Sequence, residues 1–156
     1  GLGQLLRGDG HGHFTAVSPN ESGFVVPGDA KALAALDLNG DGWADFIVSR
    51  NNSPTLVFQN GVVNGRHSLC IRLRGDAGNP NAVGARVTVE LTDGTVQVQE
   101  IFAGSGYFSQ SAAACFFGWT DANPPRRVHV RWPSGGETDH AIPAGSKQLI
   151  LSAHGS

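Results

Sequence analysis

Nine residues constrain this chain more than any other stretch: Asp37-Leu38-Asn39-Gly40-Asp41-Gly42-Trp43-Ala44-Asp45. Side-chain oxygens stand at positions 1, 3, 5 and 9 of the run, and a glycine stands at position 6. Such a run closes a tight loop and brings three carboxylates near one another. A hard cation answers that repulsion. Calcium takes about 6–8 oxygen ligands and tolerates irregular geometry. The spacing assigns Asp37, Asn39, Asp41 and Asp45 as side-chain ligands and the Trp43 carbonyl as the backbone ligand, with Gly42 allowing the sharp turn. Magnesium fits less well, because it holds its waters and demands a tight octahedron. The bland alternative is a solvated Asp/Asn/Gly turn.

The flanks decide what kind of loop this is. An EF-hand needs a bidentate Glu at position 12, and position 12 here is Val48. The segment after the loop, Asp45 to Arg50, is short and β-rich. The segment before it, Ala30 to Leu36, holds good helix formers. Its brevity and the turn residues Pro27-Gly28-Asp29 nevertheless favour a strand.

Composition then limits the classes. The 156 residues can bury a sizeable core as one domain or two small ones. Glycine is abundant at 22 residues and charge is low at 15%, which with many short Val/Ile/Thr/Phe runs predicts an all-β chain rich in turns. A net charge of −2 gives no electrostatic case for nucleic acid. No apolar run reaches the ~20 residues of a membrane helix, so membrane insertion is not expected. The absence of methionine predicts a processed product or a piece of something longer. Cys70 and Cys115 fall in predicted strands. They allow one disulfide in an oxidising compartment or two buried thiols.

Along the chain, strands are predicted at 4–7 and 13–17 around a Gly-Asp-Gly-His-Gly turn, then at 31–36, 45–50 and 55–59. From His67 on the alternation becomes regular. Strands are predicted through Leu69/Ile71/Leu73, Val83 to Leu91, Val96/Val98, 113–117, Val128/Val130/Trp132 and 148–151, with a hairpin turn at Thr92-Asp93-Gly94-Thr95. One buried and one wet face per strand is sandwich patterning.

These residues resemble two known families. Leu36 to Val48 looks like the FG-GAP/VCBS repeat, the calcium-loop blade unit of integrin-type β-propellers, and 4–14 resembles its leading hairpin. The second part resembles the ASPIC/UnbV domain of cartilage acidic protein-like chains. The matching pieces are Leu69 to Gly75, Asn79 to Val87, Gly104 to Ser111, Phe117-Gly118 and Val130 to Gly135. The resemblance implies a blade with a calcium loop over 1–62 and a C-terminal antiparallel β-sandwich over 66–152. A propeller normally closes with 4–8 blades. Only one blade's worth of strands is present, so its open edges need covering by the second part or by other chains.

Other candidates have simpler explanations. Tyr107 and Ser109-Gln110-Ser111 lack a base by sequence. Asp9, His11 and His13 alternate as metal ligands would, yet their turn forms without metal. Arg7-Gly8-Asp9 and Arg74-Gly75-Asp76 are RGD tripeptides at turn glycines, and Asn20 and Asn51 begin N-glycosylation sequons. The arginines at 72, 74, 86, 127 and 131 are expected to form a solvated sheet face.

The combined expectation is a non-enzymatic module, secreted or at the cell surface, stabilised by Ca2+ and binding other protein chains or copies of itself. The alternatives are a self-assembling fibre or surface-layer subunit completed by strand pairing between chains, and a carbohydrate-binding module with a glycan as partner.

Overall fold

A computed structural model describes residues 3–153. The described residues form twelve strands and one helical turn. The first two strands, β1 (Leu5–Gly8) and β2 (Phe14–Val17), make an antiparallel hairpin of their own. A single helical turn, α1 (Pro19–Ser22), follows it. Ser18 caps this turn by accepting from the Glu21 N–H, and Gly23 ends it at φ +65°.

The next three strands, β3 (Ala30–Leu36), β4 (Asp45–Arg50) and β5 (Ser53–Phe58), form an antiparallel sheet in chain order. The Ala-rich segment before the loop is therefore a strand, despite its helix formers. Leu36 pairs with Asp45, which makes residues 37–44 the connection of the β3–β4 hairpin. Phe24 packs on Phe46 and Phe58, with ring centroids 5.9 and 4.6 Å apart.

The remaining strands build a sandwich. One sheet has the order β11 (Glu137–His140), β10 (Pro125–Arg131), β7 (Arg86–Leu91), β8 (Val96–Glu100). The other has the order β12 (Gln148–Ser152), β6 (Arg66–Arg74), β9 (Ala114–Thr120). Leu69, Ile71 and Leu73 of β6, Val87 and Val89 of β7, Phe117 of β9 and Val128 and Val130 of β10 meet in one core. Burying such side chains stabilises by about 1.5–3 kcal/mol each.

Two expectations change, and one open alternative is decided. First, the sandwich is not wholly antiparallel, since β12 runs parallel to β6. The chain crosses between sheets from β11 to β12, so no tight hairpin turn dictates its direction. Second, the alternation of β8 is inverted. Gln99 and Gln97 stand opposite Val87 and Val89 on the core side, while Val96 and Val98 are 54% and 41% exposed. The glutamines are used at an edge: Gln97 donates to the Gly118 carbonyl at 2.7 Å, and Gln99 accepts from the Phe116 N–H at 3.0 Å and donates to its carbonyl. Side-chain amides thereby join β8 to β9 and close one corner of the sandwich.

Third, Cys70 and Cys115 are free buried thiols. The residue opposite Cys115 is Ile71, and the one opposite Cys70 is Phe116. Neighbouring strand residues point to opposite faces, so the two sulfurs lie on different sides of the sheet. Burial pushes Cys115 up to about 12 and raises Cys70 as well. Among the described residues no helix is long and apolar enough to cross a membrane.

Candidate functional site

The 37–45 loop is organised by its own carboxylates. Asp37 Oδ1 accepts from the N–H groups of Gly40 and Asp41 at 2.8 and 3.1 Å, and its Oδ2 accepts from Gly42 at 3.0 Å. Asn39 donates to Asp41 Oδ2 at 2.8 Å and accepts from the Asp41 N–H. Asp41 Oδ1 accepts from the Trp43 N–H at 2.9 Å. Asp45 is fully buried and clamps the base of the loop, one oxygen taking the Leu38 N–H at 2.9 Å and the other the Asn60 N–H at 2.7 Å. Buried charge is tolerable here because each of its oxygens is hydrogen-bonded.

Asp37, Asn39 and Asp41 therefore share one turn, and Asp45 joins it from below. The donor set is all oxygen, as a hard cation requires. Asp41 and Asp45 each keep lone pairs beyond their two N–H partners, whereas Asp37 already accepts four hydrogen bonds. Among the described residues no group of three or more His, Cys, Asp or Glu side chains is placed to hold a metal ion. That includes Asp9, His11 and His13, whose contacts are local: Asp9 accepts from both backbone N–H groups and from His13 Nδ1. The His11 N–H bond, first among these, holds the Asp9 carboxyl below its usual value.

The sequence did not reveal what the loop rests on. The Gln148 side chain of β12 donates to Asp37 Oδ2 at 2.7 Å, and the Ser68 hydroxyl of β6 donates to the Gly42 carbonyl at 2.7 Å. Gly42 sits at φ +87°, and a Cβ there would collide with the Lys147 carbonyl oxygen. The glycine read as a turn former also lets the loop lie close against the sandwich backbone. Beside it, the β3 edge is covered by the second part of the chain. Ala35 donates to Ser111 Oγ at 3.0 Å, and its carbonyl accepts from the Ala112 N–H at 2.9 Å. Ser111 is thus a backbone partner.

The covering segment ends in a tight tip. Gly106 and Ser109 form an isolated bridge, with Tyr107 and Phe108 between them. Those two rings are 78% and 80% exposed and touch at a centroid distance of 4.2 Å. Phe108 takes φ +54°, a left-handed conformation that costs a non-glycine residue about 1–2 kcal/mol. Gln110 holds the base of the tip through Gly104, the Phe102 carbonyl and the Ser111 carbonyl, and Ser105 Oγ accepts from the Ser111 N–H. A signal for it lay in the sequence: two adjacent aromatics in the charge-free run 101–113, directly after Gly104 and Gly106.

These features define a β-sandwich protein with a short N-terminal sheet docked against it. The family model described as ASPIC and UnbV matches residues 75–156, just over half of the chain. The chain belongs to the ASPIC and UnbV family. The N-terminal part matches no FG-GAP or VCBS model. No curated protein sequence matches the chain.

Proposed function

We propose that this chain is a non-enzymatic structural and adhesive module that binds other protein chains, works outside the cell and is stiffened by calcium. The observation that carries the reading is the Tyr107–Phe108 tip, a solvent-facing aromatic pair on a braced, locally strained turn. Exposed aromatics on a rigid support are the side chains that dominate binding energy at protein interfaces. Local strain of this kind persists where the surrounding structure enforces it, often at ligand clamps.

The N-terminal sheet is read as an FG-GAP/VCBS-like blade unit, and its loop as the calcium site, with Asp37, Asn39, Asp41, Asp45 and the Trp43 carbonyl as ligands. What supports this is the oxygen-only donor set and the lone pairs left on Asp41 and Asp45; the carboxylates now face N–H groups, so calcium binding requires them to turn from these partners toward the ion. The ion would take over part of the bonding that Asp37 now gives to Gln148, so it would stiffen the joint between the two parts.

Two measurements test the proposal. A photo-crosslinking residue at Phe108 should capture a discrete protein partner on the native cell surface, and the same residue at exposed Val63 should not. Equal or absent capture at both positions removes the adhesive reading. Calcium should raise the melting temperature of the intact chain, and Asp41→Ala should erase the shift. A melting curve unmoved by calcium or chelator, with no metal found by elemental analysis, removes the calcium reading.

A further inference from the structure

A second cleft, away from the aromatic tip, has the chemistry of a ligand site. It has a volume of about 440 Å3 and is lined by Trp43, Arg66, His67, Trp119, Asp121 and Lys147, among others. Ligand pockets commonly measure about 300–1,000 Å3. Two of the chain's three tryptophans line it, one from the loop and one from β9. The His67 ring stacks on Trp119 at 5.6 Å and 21°. This makes one continuous flat wall, with Trp43 as a second aromatic surface.

The charges in the cleft are unevenly spent. Of the cleft's two carboxylates, Asp121 is held by His67 at 2.6 Å, and Asp41 by the Asn39 amide and the Trp43 N–H at 2.8 and 2.9 Å. No ion pair among the described residues engages Arg66 or Lys147. Two unpaired cations beside aromatic walls suit a ligand with flat apolar C–H faces and a negative substituent. A sugar ring presents such faces, and a carboxylate or sulfate on it would meet Arg66 and Lys147.

We propose that this cleft binds an anionic saccharide across the junction of the two parts of the chain. The ring packs on Trp43 and on the His67–Trp119 wall, and Arg66 and Lys147 take the anionic group. The His67–Asp121 pair orients the imidazole. Saccharide binding here needs no partner at the aromatic tip. The cleft shares Trp43 and Asp41 with the 37–45 loop, and titration with and without chelator separates it from the calcium reading.

Titration of the full chain with oligogalacturonate, a sulfated glycosaminoglycan oligosaccharide and neutral cello-oligosaccharide tests it, read by calorimetry and tryptophan fluorescence with and without chelator. At least one anionic oligomer should bind and perturb the emission, and the neutral one should bind about tenfold more weakly or worse. Preference between the two anionic oligomers tells carboxylate from sulfate. Lys147→Gln, at an exposed side chain, should weaken binding about tenfold with an unchanged melting temperature. Trp119 packs partly on the core, so Trp119→Phe is the variant that keeps the fold while reducing the stacking surface. Failure of both anionic oligomers to bind, equal binding of the neutral one, or binding indifferent to both variants overturns the proposal.

Discussion

Gly42 shows how much one residue can decide. Its φ of +87° alone disfavours a side chain, and the Lys147 carbonyl occupies the space a Cβ would need. Gly42→Ala should cost at least ~2 kcal/mol in urea unfolding, from the left-handed backbone and from loss of the loop's seat on the sandwich. A loss below a few tenths would mean the loop does not rest there. The cysteines allow a second residue-scale prediction. Both thiols should resist a thiol reagent in the folded chain and both should react after denaturation, since neither is bridged. Burial moves Cys115 from 9.0 up to about 12, so the folded chain keeps this proton to higher pH than the unfolded one. That contribution to stability is fully present below about pH 9 and is lost as pH rises through about 12. Stability measured at about pH 8 and about pH 10.5 should therefore fall more in the parent than in Cys115→Ala.

Strand by strand, the boundary of what the sequence could disclose follows where the apolar residues lie. The β3–β4 hairpin, the 92–95 turn and most sandwich strands were legible because their alternation or turn chemistry is local. Strand β11 was not, because Glu137-Thr138-Asp139-His140 contains no apolar residue to mark a face. The face of β8 was misread because Val96 and Val98 are the hydrophobic members, while the glutamines between them face inward for a reason found on β9. Of the candidate site, the tight turn at 37–45 was legible from spacing. Its seat was not, because Asp37 and Gln148 are 111 positions apart. The glutamine pair is testable as an edge closure. Gln99→Leu would leave the Phe116 N–H and carbonyl without their side-chain partner, which should cost ~1–3 kcal/mol. Gln99→Glu keeps the acceptor for the N–H and should cost less. If the leucine variant is as stable as the parent, the corner is held by something other than these amides.

At the level of the whole chain, stability is unevenly distributed. The buried core cluster draws every member from residues 69–151. Among the described residues the N-terminal part contributes few buried apolar side chains: Val17, Val26 and Val48. Its sheet is held by the loop seat and by the β3 edge lying on Ser111 and Ala112. The family match begins at residue 75, yet β6, which ends at Arg74, is the middle strand of its sheet. Within that sheet β9 and β12 each pair with β6 and not with each other, and β6 places Leu69, Ile71 and Leu73 in the core. Removing it would separate the two remaining strands and open the core on one side. A fragment of residues 66–156 should thus give a dispersed amide spectrum and a cooperative melt. One of residues 75–156, cut where the family match starts, should not. Residues 1–62 alone should show random-coil dispersion, because three strands and a hairpin without the sandwich leave too little apolar surface buried to offset chain entropy. A cooperatively folded 75–156 would show that β6 is dispensable and that the sandwich core closes without it.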